Sequence, residues 1–184
     1  MKREYGAKFL AVDVAHLQVK LTKLGAIQVL PPTLVTSRLF EYDALGGAWL
    51  RLREERTRSI LTLKHVADAT KGGTTETEVA DLHAMVEILR RLGLREARYQ
   101  EHYREKWRLG EADYSFDTWP DLSTFLEIEA PDEASIRQAA ALLELDFAEA
   151  CFGSMEEIYE SEAGRNILGE PTLLFSNAVR IQPA

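Results

Sequence analysis

Short segments in which charged and apolar residues alternate constrain the fold more than any other feature of this sequence. They recur along the chain as the runs REYGAKFLA (3–11), AWLRLRE (48–54), ILTLK (60–64), TTETEVA (74–80), YQEHYREKWRL (99–109), ADYSFDTW (112–119) and FLEIEA (125–130). A period of two residues is typical of β-strands, because successive side chains point to opposite faces. Each predicted strand therefore has one charged face and one more apolar face.

Helical patterns and turn signals separate these strands. Four helices are predicted over residues 13–25, 81–93, about 132–143, and 154–164. Aspartate precedes each of the first two and glycine follows it, and Ser154 with Glu157 forms a capping box in the fourth. Turns are predicted at Asp43 to Gly47, at Asp68 to Gly73 and around Gly110, which indicates antiparallel pairing between neighbouring strands.

The charged faces leave two arrangements open. An open antiparallel sheet would turn its charges to water and its apolar side to the core, which is the commonest design. The charges segregate by strand, however, with cations on WLRLRE and LTLK and acids on TETE and LEIE. Helices could cover the intervening leucine and isoleucine residues, so the sheet could also close with its charges inside and form a site there.

Composition excludes some functional classes. With 30 Asp plus Glu against 22 Lys plus Arg, the net charge of −8 argues against a nucleic-acid binder, which needs a basic surface. Cys151 is the single cysteine and cannot form an internal disulfide, and no run of about eighteen apolar residues suggests a membrane span. We therefore expect a soluble cytoplasmic protein without a membrane partner.

The acidic positions indicate a metal site if the sheet is closed. Two carboxylates about 4 Å apart repel by roughly 4 kcal/mol at an effective dielectric constant near 20, so gathered acids need a compensating cation. Hard oxygen ligands suit Mg²⁺ or Mn²⁺. The acids concerned are Glu76, Glu78, Glu127 and Glu129. Basic residues that match phosphate oxygens complete a phosphoryl-transfer site, and they are Lys8, Arg51, Arg53, Lys64 and Arg104.

The runs EYGAK, WLRLRE, LTLK, TETEV, YREKW and DTWPDLSTFLEIEA, in this order and approximate spacing, resemble the CYTH superfamily of triphosphate tunnel metalloenzymes. The similarity is greatest to bacterial class IV adenylate cyclase and thiamine triphosphatase-type proteins. It implies an α+β fold with a closed eight-stranded antiparallel β-barrel and helices packed outside. It also implies one domain over residues 1–184, with a core of about 1–145 and a C-terminal helix and tail over 146–184.

The same resemblance implies roles for individual residues. Glu4 and Lys8 are expected to be catalytic. The expected phosphate-binding residues are Lys8, Arg51, Arg53, Lys64, His102 and Arg104. The expected ligands of Mg²⁺ or Mn²⁺ are Glu76, Glu78, Asp117, Glu127 and Glu129. Three features depart from the family pattern. The second glutamate of the first motif, Glu-any-Glu-any-Lys, is Gly6 in this chain. The usually basic position two residues before Arg104 is His102, and no arginine precedes the acids of TETE.

Three functions remain open at this point. The first is metal-dependent binding and cleavage of ATP, tripolyphosphate or thiamine triphosphate, by either an adenylate cyclase or a triphosphatase reaction. The second is a non-catalytic polyphosphate- or nucleotide-binding protein whose first motif is degenerate at Gly6. The third is an ordinary antiparallel protein with a solvated charged face. The sequence leaves open whether the chain forms a homodimer.

Overall fold

The structure is a computed structural model that describes residues 5–41, 48–65 and 73–176. The turn predicted at Asp43 to Gly47 lies outside these ranges, and so does most of the turn predicted at Asp68 to Gly73. Glu4, one of the two predicted catalytic residues, also lies outside them.

Antiparallel strands form the framework of the described residues. They are β1 (Tyr5–Phe9), β2 (Ile27–Glu41), β3 (Trp49–Glu55), β4 (Arg58–His65), β5 (Gly73–Val79), β6 (Arg95–Leu109), β7 (Ala112–Thr118) and β8 (Phe125–Ala130). These eight are hydrogen-bonded in the order β1-β8-β7-β6-β2-β3-β4-β5, and the short β9 (Thr172–Leu173) pairs in parallel with β6. The predicted α+β class with an eight-stranded antiparallel sheet is confirmed.

The helices begin and end where the sequence predicted. They are α1 (Val14–Lys23), α2 (Leu82–Arg91), α3 (Glu133–Leu142) and α4 (Met155–Ala163). Asp13 and Asp81 accept hydrogen bonds from backbone amides of the first turns of α1 and α2, and the capping box between Ser154 and Glu157 is present in α4. Gly25 and Gly93 follow the first two helices with positive φ angles of 81° and 89°, a conformation that glycine adopts without strain.

The described chain divides into two compact bodies. The β4 body consists of residues 34–101 and 170–174, and the β7 body consists of residues 5–33, 102–169 and 175–176. The long strands β2 and β6 contribute residues to both bodies.

Helices cover the apolar side of the strands in each body. In the β7 body, Ala7, Tyr114 and Ile128 are fully buried in a core to which α1 and α3 contribute. In the β4 body, Leu52 of β3 packs with Val86 and other apolar residues of α2. The alternate leucine and isoleucine positions of the strands thus face helices, as expected, which leaves the charged positions on the other side. No helix within the described ranges is both long and apolar enough to span a membrane.

Candidate functional site

Strand register places most of the predicted site residues of the β7 body on one face. Lys8 lies opposite Glu127, and Gly6 lies opposite Glu129. On the other side of β8, Ser115 lies opposite Glu127, and the next strand pair aligns Arg104 with Asp117. We call this surface the charged face, and it consists of Gly6, Lys8, Arg104, Lys106, Asp113, Ser115, Asp117, Glu127 and Glu129.

Arg104 is the centre of a buried ion-pair network on the charged face. Its Nε donates to Asp117 Oδ1 at 2.6 Å, its Nη2 donates to Asp117 Oδ2, and the same Nη2 lies 3.2 Å from Glu127 Oε2. The side chains of Arg104 and Asp117 are only 14% and 2% exposed. Burial alone would lower the pKa of Arg104, but the Asp117, Glu127 and Glu129 carboxylates raise it well above its usual value. The guanidinium therefore remains charged in the interior.

Lys8 joins this network from β1. Its Nζ lies 3.4 Å from Glu127 Oε1 and donates a hydrogen bond to the Gly153 carbonyl oxygen at 3.2 Å. The backbones of Lys8 and Cys151 exchange two further hydrogen bonds of 2.8 Å. The loop before α4 therefore holds both the main chain and the ammonium group of Lys8.

Gly6 leaves space beside these charges. A Cβ atom built at Gly6 would lie 3.6 Å from Glu127 Oε1, which is an ordinary contact distance. Packing therefore does not require glycine here, and a longer side chain would extend over the acids of β8.

A second group of charges lies at the other end of the charged face. Lys106 Nζ lies 2.8 Å from Asp113 Oδ2 and 3.7 Å from Glu129 Oε2, while Arg108 Nε lies 2.7 Å from Asp113 Oδ1. Partial burial would raise the pKa of Asp113, but the hydrogen bonds from Arg108 and Lys106 outweigh it and hold this pKa below its usual value. Glu129, a predicted metal ligand, thus lies beside an ammonium group.

His102, predicted to contact phosphate, is buried in an aromatic stack. Its ring lies against the ring of Trp119, with centroids 4.5 Å apart and planes 5° from parallel. His102 is two residues from Arg104 on the same strand, so both side chains leave β6 on the same side.

The predicted cations of the β4 body also share one face. The register pairs Arg51 with Thr62, Arg53 with Ile60 and Lys64 with Trp49. Arg53 is 11% exposed and pairs with Glu55 at 2.9 Å. Lys64 Nζ lies 5.5 Å from the centroid of the Trp49 ring, a cation–π distance.

The predicted acids of β5 are exposed to solvent. Glu76 accepts a hydrogen bond of 2.8 Å from Thr62, and Glu78, 75% exposed, lies 3.9 Å from Arg58. In the part of the chain that the structure describes, no three His, Cys, Asp or Glu side chains cluster closely enough to hold one ion. The structure therefore brings together Asp117 and Glu127, which contact the same arginine, but not the whole predicted set of metal ligands.

In a comparison with protein families, a model of the CYTH domain matches residues 40–158. The chain belongs to the CYTH domain family. The match covers more than half of the chain but begins after β1, so it does not include the first motif with Gly6. The family resemblance noted in the sequence is thus confirmed.

Solved structures share the fold of this CYTH domain at low sequence identity. A Pyrococcus horikoshii protein is 22% identical, with a TM-score of 0.68, covering 83% of this chain and 96% of its own. A Vibrio parahaemolyticus protein provisionally assigned as an adenylate cyclase is 16% identical, with a TM-score of 0.72, covering 86% and 98%. A Hippeastrum protein, provisionally assigned as an adenylyl cyclase and described with a dominant triphosphatase activity, is 14% identical, with a TM-score of 0.53, covering 93% and 100%. No curated protein sequence matches the chain.

The carboxylates of this CYTH domain suit a divalent cation that keeps part of its water shell. Glu127 and Glu129 project from the same side of β8, and the space beside Gly6 adjoins Glu127. Mg²⁺ is commonly held by one or two carboxylates together with water and substrate phosphates, so this donor set fits it. Lys8 and Lys106 lie near the same carboxylates and would compete with such an ion.

Three residues near these charges were not among the predicted site residues of the CYTH domain. Lys106 and Asp113 belong to the alternating pattern of β6 and β7, so their positions on the charged face follow from sequence parity. Gly153 contacts Lys8 across 145 positions of sequence, and no local pattern indicates that contact.

Of two cavities in the β7 body, the larger is not lined by residues of the charged face. It has a volume of about 290 Å³ in the β7 body and is lined by residues 9–13, α1 and residues 143–149, including His16 and Lys20. A smaller, mainly apolar cavity of about 140 Å³ includes Arg104 and Tyr103 in its wall.

Proposed function

We propose that this CYTH protein binds a triphosphate at the charged face of the β7 body and cleaves it with the aid of a divalent metal ion. The observation that carries the proposal is the buried network of Lys8, Arg104, Asp117 and Glu127. Cations held in place by acids and partly removed from water bind anionic oxygens more strongly than solvated cations do. The CYTH match and the activity described for the Hippeastrum neighbour support a triphosphate as the ligand.

Each group of charges has a role in this proposal. Lys8 and Arg104 would hold phosphate oxygens, and Glu127 and Glu129 would hold Mg²⁺ or Mn²⁺. The ion would neutralise the charge that develops on the phosphates during cleavage. The roles expected for Glu4, Arg51, Arg53, Lys64, Glu76, Glu78, His102 and Asp117 stay predictions.

The apparatus suits two reactions. In hydrolysis, water attacks the terminal phosphorus, the bond from that phosphorus to the bridging oxygen breaks, and the diphosphate part of the ligand leaves as orthophosphate forms. In cyclisation, the ribose 3′-hydroxyl of ATP attacks the α-phosphorus, and pyrophosphate leaves as cyclic AMP forms. Both reactions need cations for the phosphates and acids for the metal.

Phosphorus NMR tests the proposal directly. Purified protein is incubated with ATP, with tripolyphosphate or with thiamine triphosphate, in the presence of Mg²⁺, Mn²⁺ or a chelator. Metal-dependent orthophosphate would identify a triphosphatase, and pyrophosphate with cyclic AMP would identify a cyclase. Resonances that neither shift nor change with time in the presence of protein would contradict the proposal.

A second candidate function is polyphosphate or nucleotide binding without turnover. It is favoured by Gly6, where a side chain has room but the carboxylate is missing. If this deficit disables cleavage, Gly6→Glu should tighten Mn²⁺ binding at least tenfold and confer metal-dependent cleavage, whereas Gly6→Gln should do neither. Metal titration calorimetry and the NMR assay measure both effects. Cleavage of a triphosphate by the native protein would count against this candidate. So would equal Mn²⁺ affinity and equal cleavage activity in Gly6→Glu and Gly6→Gln.

Three finer expectations belong to the same proposal. The first is that the sheet closes into a barrel, as the family resemblance implies. The second is a cytoplasmic location, where nucleoside triphosphates are abundant. The third is that the ligand is a small molecule and not a nucleic acid.

A further inference from the structure

Two polar groups, one in β7 and one in the residue that follows it, are buried and have no hydrogen-bond partner within the described residues. They are the Ser115 hydroxyl oxygen, in a residue that is 0% exposed, and the Trp119 indole nitrogen, in a residue that is 7% exposed. A buried donor left unsatisfied costs about 1–3 kcal/mol, so folded proteins rarely retain one. Two such groups in one short segment therefore require an explanation.

Comparable groups nearby all have partners. The Trp107 indole nitrogen donates to Glu105 Oε1 at 2.7 Å, and the buried Tyr114 hydroxyl donates to the Ala139 carbonyl oxygen at 3.3 Å. Tyr114 precedes Ser115 in β7 and faces the helix-covered core, away from the charged face. In the β7 body these two exceptions therefore lie on the side of β7 that carries the charges, and a further buried hydroxyl without a partner in the described residues, that of Ser37, lies in the β4 body.

Both exceptions flank the ion-pair network. Ser115 lies between Lys106 and Glu127 in the register of the three strands. Trp119 stacks on His102, which shares its side of β6 with Arg104, and Asp117 lies midway between Ser115 and Trp119 in sequence. A ligand bound along β7 over Arg104 and Asp117 would therefore pass both groups.

The chemistry of the indole restricts the ligand atom that it can contact. An indole nitrogen only donates, so its partner must be an acceptor, and a serine hydroxyl can also donate. Phosphoryl oxygens are strong acceptors, and the neighbouring Lys8 and Arg104 favour an anion at this place.

We propose that Ser115 Oγ and Trp119 Nε1 are neutral hydrogen-bond donors to the oxygens of a polyphosphate bound on the charged face. This inference rests on the proposed function and adds two specificity-determining contacts to it. Neutral donors contribute affinity that depends less on salt than that of exposed cations, and their fixed positions select the spacing of the phosphoryl groups.

The test compares affinity with ligand-free stability. Ser115→Ala and Trp119→Phe each remove a donor while keeping most of the packing, and isothermal calorimetry measures tripolyphosphate binding with a chelator and then with Mg²⁺. We expect each variant to bind three- to tenfold more weakly than the native protein. We expect the ligand-free unfolding midpoint of Ser115→Ala in urea to be unchanged or higher, because an unsatisfied buried donor has been removed. Trp119→Phe is compared by affinity alone, because it also removes buried volume that stabilises the fold.

Matched controls remove donors that have partners. Trp107→Phe and Tyr114→Phe should lower the unfolding midpoint and leave tripolyphosphate affinity within twofold, since each loses a hydrogen bond inside the protein. This opposite pattern distinguishes a ligand contact from a structural role.

Each other outcome overturns the inference in a distinguishable way. If native protein binds tripolyphosphate and Ser115→Ala and Trp119→Phe bind it equally well, the inference fails while the proposed function stands. If ligand-free Ser115→Ala is destabilised like Tyr114→Phe, the Ser115 hydroxyl has a partner in the folded protein, such as ordered water, and the inference fails. If native protein does not bind tripolyphosphate at all, the proposed function fails first.

Discussion

The two bodies have similar alternating strands, but their acidic side chains differ in burial and in pairing with cations. In the β7 body, Asp117 and Glu127 are 2% and 16% exposed and pair with Arg104, which is itself largely buried. In the β4 body, Glu76 and Glu78 of β5 are exposed, and Glu78 is 3.9 Å from the nearest guanidinium nitrogen of Arg58. The same sequence pattern therefore yields a buried ion-pair network in one body and a largely solvated acidic strand in the other.

The difference follows from how much water surrounds each carboxylate. Charge pairs interact several-fold more strongly when their effective dielectric constant falls from about 80 to about 20. Breaking a buried pair leaves an uncompensated charge, whereas an exposed carboxylate is stabilised by solvent in either case. The β7 body is thus the place where single substitutions should have large electrostatic effects.

The largest expected effect is on Asp117. Asp117→Ala should lower the free energy of unfolding by about 3–5 kcal/mol, because Arg104 remains buried without its main partner. Glu78→Ala in the β4 body should change it by less than about 0.5 kcal/mol, as is usual for exposed positions. Urea unfolding followed by circular dichroism measures both, and equal costs would remove the contrast between the bodies.

Glu55 provides a second test of the comparison, because it is a buried acid of the β4 body. It pairs with Arg53 at 2.9 Å and with Arg58 at 2.8 Å. Glu55→Ala should cost about 2 kcal/mol, since hydrogen bonds to charged groups are lost and Arg53 is mostly buried. Its exposed neighbour offers a control, and Glu54→Ala should be nearly neutral in the same unfolding assay. A neutral Glu55→Ala would show that burial does not govern these costs.

Lys8 allows a comparison of ligand affinity between a lysine on the charged face and a lysine elsewhere in the β7 body. Lys8→Met should weaken tripolyphosphate binding at least tenfold, or about 1.4 kcal/mol, because a positioned ammonium is lost. Lys20 of α1 contacts the Leu143 carbonyl oxygen and Glu144 instead, so Lys20→Met should change affinity less than twofold. Calorimetry at fixed salt measures both variants. Equal weakening would indicate that net charge alone controls binding.

The smallest effect concerns Asp113 and pH. Because its folded-state pKa lies below the usual value of about 3.9, its stabilising effect is present above that value and is lost as pH falls through the folded-state pKa. Asp113→Asn should cost about 1 kcal/mol or less at pH 7, and the difference from native protein should shrink on acidification. Urea unfolding between pH 7 and pH 2.5 measures this, and a difference independent of pH would contradict it.

Much of the framework followed from local sequence. Alternation located seven of the eight antiparallel strands, but β2 (Ile27–Glu41) was not among the predicted runs. The capping residues Asp13, Asp81 and Ser154 located the starts of three helices. Both signals act over a few residues. The register of Lys8 against Glu127 then follows from antiparallel pairing. These features needed no knowledge of distant contacts.

Burial and distant contacts could not be predicted in the same way. Glu78 and Glu127 both lie on the charged side of an alternating run, yet Glu78 is exposed and Glu127 is largely buried. This difference in burial depends on how other segments pack against each strand. The contact of Lys8 with Gly153 likewise joins residues far apart in sequence. That the buried Ser115 hydroxyl has no hydrogen-bond partner can be recognised only when the positions of all neighbouring polar atoms are known.

The backbone bridge between Lys8 and Cys151 also affects how the molecule avoids aggregation. Within the described residues, β1 pairs with β8 along one edge and is bonded along its other edge only by Cys151. An exposed strand edge is a template for pairing with other chains, and the bridge blocks this edge near the C-terminal end of β1. Detaching the loop before α4 would uncover that edge, so the segment that fixes Lys8 also guards the protein against intermolecular strand addition.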